Sequence, residues 1–406
     1  MRTFFSGLVA VALLGCPDWA HEREQRCLAL DASTDFCAGV GGGSEMTGGG
    51  TATGGGSGNG GWFDSLPVVS PNTLVRTAGP ARSVPVRLWE VPNSGRLFAV
   101  DVRDGGFSIW RNGDNGNVGN LSSGSFQWCS SAVNESSTLL GNAYRDNANT
   151  YVSVDDFDGG QLTANVDLPI DTCAPALALQ QRVDGGFAFI ASWDNGSAIS
   201  FQRVCQNCTR ELFEFPTRVV RVDEGFTDTR QHVWFSAVSG VSPAVLLFEV
   251  TPDATQAVQY RLASSNLPTR IELSGSGLSL HAAWTDGTSL WLATLNPDGG
   301  VPAPQSWQFP MAISLVDLVE NANGPVAVLT TAEGTLLMSP AGDGGLLLRR
   351  IQTPFLFKAS VALLGNTLRI AGQCLRADGG PGDHTTGCVD AGNPVLEFFG
   401  ADGGAW

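Results

Sequence analysis

The sequence predicts an all-β fold built from a repeated unit of short strands. From Trp62 onward, short runs rich in Val, Leu, Phe, Ile, Trp and Thr alternate with turns made of Asp, Asn and Gly. These patterns are typical of strands joined by tight hairpins, because Gly adopts positive φ without a steric penalty. Only 15% of the residues are charged and 51 of the 406 are Gly, a composition that excludes a coiled coil or a helical repeat.

A unit of two apolar runs around a tight turn recurs along this region. The clearest copy has one run through Trp284, the turn Asp286-Gly287 and a second run at 290–295. The centres of the second runs are 44 to 47 residues apart, except for a last step of 60. These centres are Ile109, Ser153, Ile199, Leu246, Trp291, Leu336 and Leu396. The chain therefore repeats a hairpin-based unit at a nearly constant period.

This period of about 45 residues, with this turn chemistry, resembles that of a β-propeller. The resemblance covers about 74–406 and implies seven four-stranded blades; six or eight blades, or a pair of β-sandwiches, are the alternatives. The last unit ends without enough chain for a fourth strand, and an open edge would leave backbone groups unpaired. We therefore expect an N-terminal strand at 73–77 to close the ring by completing the last blade.

The first sixteen residues are typical of an export signal. Arg2 supplies the positive end, and 4–14 form an apolar run too short to span a bilayer. The following Leu13-Leu14-Gly15-Cys16 resembles the lipobox of bacterial lipoproteins. In that family the cysteine is acylated and becomes the mature N-terminus, which implies anchoring of Cys16 in the cell envelope, at the outer membrane or the cell surface. The alternative is an ordinary secretory signal cleaved nearby.

The cysteine count agrees with export. A lipidated Cys16 leaves eight of the nine cysteines, an even number that suits four disulfides in an oxidising compartment. Eight cysteines allow 105 pairings, so closeness in sequence is the guide that remains. It favours the pairs Cys27–Cys37, Cys205–Cys208 and Cys374–Cys388, which leaves Cys129–Cys173.

These features predict four segments. Residues 1–15 form the signal peptide, 16–38 a lipid-anchored segment, 39–61 a flexible linker and 62–406 the β-propeller domain. The linker assignment rests on 13 Gly among its 23 residues.

The charge balance limits the partners. With 23 Lys and Arg against 39 Asp and Glu, the net charge is −16. Nucleic-acid binding depends on cationic side chains, so we expect no nucleic-acid partner. No later stretch reaches eighteen apolar residues, so the expected membrane contact is the N-terminal lipid. We expect the protein to be a monomer.

No local catalytic motif is present: the sequence lacks GxSxG, HExxH and GxxxxGK[ST]. We therefore predict a non-enzymatic binding or scaffold protein whose partner is a protein or a polysaccharide. One alternative is a hydrolase or lyase acting on an extracytoplasmic carbohydrate or peptide, whose site would gather carboxylates with His or Tyr at one face of the channel. The other alternative is a structural envelope component.

Two groups of residues are candidate binding sites. The last unit is lengthened by an insertion at 373–393, and its Asp378, Asp383 and His384 are candidates for ligand contact. Asp156 and Asp158, before Gly159-Gly160, are candidates for calcium, because hard cations bind closely spaced carboxylates. Hairpin turns use Asp and Gly for backbone reasons as well, so calcium is an option, and we expect no other cofactor.

Two histidines occupy comparable places in neighbouring units. His232 and His281 could join a carboxylate in a metal site, or they could be strand residues with local partners, which is the interpretation we favour.

Overall fold

The computed structural model describes residues 60–69, the strands given below and the stretches 175–181, 186–205, 211–250, 256–276, 279–296, 303–321, 324–331, 333–341 and 345–351. Side chains are described in 62–69 and in much of 129–351. The predicted signal peptide, the anchored segment and the predicted linker up to residue 59 lie outside the described residues.

The regular structure is almost entirely β. Helix α1 spans Gly60–Ser65 and is the one helix among the described residues. The strands, in chain order, are β1 Val68–Val69, β2 Thr73–Arg76, β3 Val84–Glu90, β4 Leu97–Arg103, β5 Gly106–Asn112, β6 Gly119–Asn120, β7 Phe126–Asn134, β8 Leu139–Asp146, β9 Asn149–Asp156, β10 Val166–Leu168, β11 Ala176–Gln181, β12 Phe187–Asp194, β13 Ile199–Cys205, β14 Glu211–Phe215, β15 Val219–Thr227, β16 Val233–Ser239, β17 Ala244–Val250, β18 Ala257–Ala263, β19 Arg270–Ser276, β20 Ser279–Thr285, β21 Ser289–Leu295, β22 Gln305–Gln308, β23 Ser314–Asn321, β24 Gly324–Thr330, β25 Thr335–Pro340, β26 Leu346–Ile351, β27 Leu356–Leu364, β28 Thr367–Cys374 and β29 Val395–Gly400.

Consecutive strands pair antiparallel into four-stranded sheets, named A to G in chain order. Sheet A contains β3–β6, sheet B β7–β10, sheet C β11–β14, sheet D β15–β18, sheet E β19–β22, sheet F β23–β26, and sheet G β27–β29 with β2. One parallel bridge, between Thr227 and Asn134, also joins the first strands of sheets D and B. Within sheets A to F the four consecutive strands pair in chain order without a crossover, as in the blades of a β-propeller, and in sheet G the strand β2 pairs with the last strand, β29.

The first strands of neighbouring sheets lie side by side. Strand β11 lies between β7 and β15, β19 lies between β15 and β23, and β27 lies between β23 and β3. The last sheet therefore returns to the first, and the first strands form the inner wall; between sheets A and B the contact is made by β5 and β7. The prediction of an all-β propeller is confirmed.

The N-terminal strand completes the last sheet, as predicted. Strand β2 pairs antiparallel with β29, placing Thr73 opposite Phe398 and Arg76 opposite Val395. The pairing covers the free edge of β29, so the sheet that contains the C-terminal strand is closed by residues near the start of the ring.

The predicted hairpins correspond to the second and third strands of the sheets. In sheet E, β20 and β21 pair through Trp284 and Trp291, whose rings stack with centroids 5.9 Å apart and an interplanar angle of 3°. The turn between them needs Gly287, whose φ is +98°. In sheet G, β28 ends at Cys374 and β29 begins at Val395, so the predicted insertion joins these two strands.

Apolar side chains fill the spaces between neighbouring sheets. Between sheets C and D the buried cluster includes Phe201, Phe235 and Phe248, and between sheets D and E it includes Trp234 and Trp284. Sheets C, D and E thus bury both of their faces, which explains why their central strands are nearly continuous apolar runs rather than alternating ones.

Helix α1 is attached to sheets E and F. It begins at Gly60, two residues inside the segment predicted to be linker, and it is too short for sequence periodicity to reveal it. Phe63 is buried in a cluster with Leu292, Ile313 and Leu336. A Cβ at Gly334, whose φ is +152°, would lie 2.8 Å from the Phe63 ring, so the aromatic ring needs glycine at that turn.

Arg350 joins the helix and β1 to the outer strand of sheet F. Its Nη1 lies 3.2 Å from the Asp64 Oδ1, and its guanidinium lies over the Phe63 ring, 5.8 Å from the centroid. The Arg350 N–H donates to the Pro67 carbonyl at 2.9 Å, and β1 pairs parallel with β26. We call residues 60–69, held in this way, the N-terminal latch.

Within the described residues, no helix is both long enough and apolar enough to cross a bilayer.

We expect the closing strand to be essential for the stability of the whole ring. Deleting 72–78 exposes the edge of β29, and the midpoint of thermal unfolding should fall by about 10 °C, which corresponds to a few kcal/mol in a domain of this size. Removing ten residues from 43–58 is the matched control and should leave the midpoint within about 2 °C. Equal midpoints for the two deletions in a thermal melt would contradict the role of β2.

Candidate functional site

The first strands of several sheets contain β-bulges. The pairing with the second strand shifts by one residue at Val222/Glu224 in β15 and at Leu315/Asp317 in β23, and β3, β7 and β27 have similar shifts. A bulge re-aims a side chain that regular alternation would place elsewhere. The bulges therefore decide which polar groups the inner wall presents.

In sheet D, Asp223 is the extra residue of the bulge and pairs with Arg221 on the same strand. The guanidinium contacts both carboxylate oxygens, and its Nη2 also donates to the carbonyls of Pro268 and Thr269 at 2.9 and 2.7 Å. Burial raises the pKa of the Asp223 carboxyl above its ordinary value, although the Arg221 charge beside it acts to lower that pKa. One arginine thus compensates a buried acid and joins sheet D to the connection before sheet E.

Sheet E repeats this arrangement and is joined to sheet D a second time. Arg270 pairs with the buried Glu272, two residues along the same strand. The Glu224 carboxylate accepts a hydrogen bond of 2.7 Å from the Leu273 N–H, across the boundary between the two sheets. These acids and arginines are thus engaged with each other and with backbone groups of the neighbouring sheet.

None of these five ionic residues of the first strands was a candidate predicted from the sequence, although four of them follow a pattern. The available signal was an Arg-x-acid pattern, Arg221-Val222-Asp223 and Arg270-Ile271-Glu272, at matching positions of two units. Residues two apart share a face of a strand, so this pattern predicts same-face ion pairs. The pattern was not recognised in the sequence because the bulge at Val222/Glu224 interrupts the regular alternation of side chains in β15.

His281 is held inside the space between sheets E and F. Its Nδ1 lies 3.0 Å from the Thr294 Oγ1, and its Nε2 lies 3.6 Å from the Glu320 Oε2. Burial lowers the pKa of His281 to about 4, outweighing the nearby carboxylate. The side chain is therefore a neutral, buried imidazole at physiological pH.

His232 is the more exposed of the two candidate histidines. Its Nδ1 lies 2.7 Å from the Glu249 Oε1, and the Tyr260 hydroxyl donates to the Glu249 Oε2 at 3.0 Å. The His232 N–H donates to the Asp228 Oδ1 at 2.8 Å, and the preceding Gln231 has a φ of +66°. The carboxylate fixes the imidazole through Nδ1 and leaves the Nε2 edge directed away from Glu249.

The two histidines thus have separate local partners, as we favoured from the sequence. Among the side chains that the structure describes, no group of three His, Cys, Asp or Glu residues could hold a metal ion.

Most of the predicted site residues lie outside the described residues. These are Asp158, Asp378, Asp383, His384, Cys16, Cys27, Cys37, Cys173, Cys208 and Cys388. Asp156 is the last residue of β9 and Cys374 the last residue of β28, and only their backbone is described. The calcium site and the ligand loop therefore stay predictions.

No protein-family model matches the chain, and no curated protein matches it either. Solved structures do match it. Virginiamycin B lyase from Staphylococcus aureus has a TM-score of 0.54 and 11% identity, over 80% of this chain and 98% of that one. The β-propeller domain of Cps50 (Swd1) from Myceliophteria thermophila has a TM-score of 0.54 and 11% identity, over 81% of this chain and 100% of the other.

A prolyl endopeptidase is also similar, with a TM-score of 0.51 and 10% identity, over 79% of this chain and 50% of that one. These structures include two enzymes and a domain described only as a propeller. At such low identities the likeness shows the β-propeller fold and leaves the activity open.

We expect His281 to make the stability of the ring pH-dependent. The folded protein keeps this imidazole neutral down to about pH 4, whereas an unfolded chain protonates it near 6.5. Between these values the unfolded state binds more protons, so the free energy of unfolding should fall as the pH is lowered, by up to about 3 kcal/mol.

Urea unfolding of the wild type and of His281→Gln between pH 4 and 7 measures this effect. The variant keeps a hydrogen-bonding group beside Thr294 but has no proton to bind, so its stability should fall less steeply. Parallel pH profiles for the two proteins would show that His281 does not titrate in this way.

Proposed function

We propose that the protein is a lipid-anchored, extracytoplasmic β-propeller that binds a protein or polysaccharide partner without catalysing a reaction. The observation that supports this best is that the ionic groups in the first strands of sheets D and E are engaged in contacts within the ring. Arg221, Asp223, Glu224, Arg270 and Glu272 all bind each other or neighbouring backbone. Such groups stabilise a rigid ring and leave recognition to its loops.

The number of blades is part of the same proposal. We take sheets A to G as the complete set, one for each of the seven repeated units in the sequence. The contacts of β27 with both β23 and β3 support a ring of this size, because they join the last sheet to the first.

The anchor at Cys16 is supported by the lipobox resemblance and by the latch. Phe63, Asp64 and Pro67 fix the chain to sheet F before it enters the ring. A tether connected directly to the closing strand β2 would pull on the ring itself. The latch lies between the tether and β2, so it would take the load first.

Four disulfides suit the same location. Cys129 and Cys205 are the cysteines of the predicted pairs whose side chains the structure describes. We expect their partners to be Cys173 and Cys208. Cys205 is buried at the end of β13, and Cys129 is the extra residue at the bulge of β7.

The binding loop in this proposal is the insertion between β28 and β29. A disulfide between Cys374 and Cys388 would limit the conformations of the loop that contains Asp378, Asp383 and His384, which lowers the entropic cost of binding. This insertion is the one part of the seven repeated units that departs from the repeat length. The other units form their hairpins without such an insertion, so the fold does not require it.

A hydrolase or lyase is the second candidate, and one observation favours it. Glu249 orients His232 and also accepts from Tyr260, while the His232 side chain is 37% exposed. A carboxylate that orients a partly exposed imidazole is the usual arrangement of a general base. Turnover of an envelope peptide or polysaccharide that is lost in both His232→Gln and Glu249→Gln would establish this function and overturn the binding proposal.

We expect Cys16→Ser to release the protein from the membrane, because the substitution removes the acylated thiol. The variant should move to the soluble fraction and melt at the same temperature as the wild type. Membrane fractionation in high salt, with detection in both fractions, measures this. If the variant still sediments with membranes after the salt wash, the lipid anchor is wrong.

We expect the insertion to make the partner contact. A photoreactive residue at position 377 should form discrete cross-linked products in intact cells, and the same residue at Val258, exposed on the outer strand β18, is the matched control. Replacing 375–387 by a short Gly-Ser turn, with Cys374 and Cys388 changed to Ser, should abolish the partner contact without unfolding the ring. Unchanged interactions in that variant would show that the insertion does not bind.

A further inference from the structure

We propose that one end of sheet D is a second membrane contact, made for an anionic lipid surface. The proximal end of each sheet is defined here as the end where its first strand begins. At the proximal end of sheet D, three aliphatic side chains, Val220, Val241 and Leu267, lie among arginines. This inference rests on the proposed lipid anchor, which would bring the ring to a membrane.

The three aliphatic side chains are unusually exposed. Val220 is 51% exposed, Val241 79% and Leu267 50%. Val220 is the extra residue in the pairing between Val219 and Arg221, so the irregularity turns it outward. Val241 lies in the turn between β16 and β17, and Leu267 lies in the connection from β18 to β19. All three therefore lie at the same end of the sheet.

Contacts between the three segments keep these residues together. Val219, beside Val220, pairs with Ser239, and the Gly240 N–H donates to the Arg218 carbonyl at 3.0 Å. On the other side, the Arg221 Nη2 donates to the Pro268 carbonyl, next to Leu267, at 2.9 Å. The aliphatic side chains thus belong to one surface rather than to separate loops.

The exposed charged side chains of sheet D at this end are arginines, and the neighbouring Asp286 is buried and accepts from Ser264 and Asn266. Arg218 and Arg261 are exposed, and Arg261 contacts the hydroxyls of Ser239 and Ser242 rather than an acid. Asp223 is buried and paired with Arg221. Glu214 belongs to sheet C, where Asn195 donates to it at 2.7 Å. A chain of net charge −16 thus has a locally positive surface here.

The N-terminal latch reaches the ring at the same end. The Phe63 ring lies against Gly334, in the turn between the second and third strands of sheet F. Trp62 lies edge-to-face with Phe309, 6.1 Å between centroids, in the connection from sheet E to sheet F. The described N-terminal segment is thus attached to sheets E and F at their proximal ends.

These observations favour a lipid surface over an acidic peptide. Aliphatic side chains on turns, with arginines beside them, can enter the headgroup layer while the guanidinium groups bind lipid phosphates. Each arginine near an anionic surface is expected to raise the partition constant about fivefold. A lipid anchor becomes stable when a second signal is added, and a basic patch is one such signal.

Vesicle co-sedimentation tests this surface apart from the anchor. The chain from residue 16 onward, with Cys16→Ser, should bind vesicles of 30% phosphatidylglycerol in phosphatidylcholine more tightly than vesicles of phosphatidylcholine alone. The double variant Val241→Asp, Arg261→Glu should lower the partition constant at least tenfold. Val258→Asp, at a valine that is 50% exposed on β18 of the same sheet, is the control and should leave it unchanged.

Equal binding to both kinds of vesicle would overturn the proposal, and so would an equal loss of binding in the Val258→Asp control. A third contrary outcome is binding of polyglutamate that depends on these residues, without vesicle binding; it would assign the surface to an acidic partner. Matched thermal melts of all variants exclude unfolding as the cause. Because the protein used in the vesicle experiment has no lipid, a negative vesicle result would not argue against the anchor at Cys16. In the same way, a negative result in the Cys16→Ser fractionation would not argue against the vesicle result.

Discussion

The close approach of the first strands around the centre of the ring is the constraint on which the rest of the structure depends. At Gly225 in β15, a Cβ would lie 2.2 Å from the Leu177 carbonyl oxygen and 2.8 Å from the Phe235 ring. No residue with a side chain fits this contact without moving the backbone of β11. Neighbouring sheets approach so closely here that backbone, rather than side chains, forms part of the interface.

This close approach determines which partners the polar side chains of the first strands bind. Where neighbouring strands are so close, a polar side chain binds the next sheet's backbone directly, as Glu224 does at Leu273. At the proximal end, Asp286 performs the same function: it accepts from the Trp291 Nε1 at 2.9 Å and from the Asn266 N–H at 3.1 Å. A buried carboxylate that accepts several hydrogen bonds holds a turn, a strand and an incoming connection in one geometry.

The sequence predicted the hairpins of the second and third strands because these strands are apolar and are joined by turns that need glycine. It also predicted the closing strand, because the last unit lacked chain for a fourth strand. The first strands were harder to predict, since their bulges interrupt the period of two and their ionic residues resemble surface positions. The environments of His232 and His281 could not be predicted either, because Glu249 and Glu320 come from other strands and approach only when the sheets pair.

The latch also has a mechanical consequence. Residues 60–69 are fixed to sheet F, and only a few residues later the chain becomes the outer strand of sheet G, at Thr73. A force applied to the chain ahead of residue 60 would act first on Phe63 and on the Asp64–Arg350 ion pair. It would reach the hydrogen bonds between β2 and β29 only after those contacts had broken. A pull on the chain ahead of residue 60 would therefore load the latch before it loaded the pairing that closes the ring.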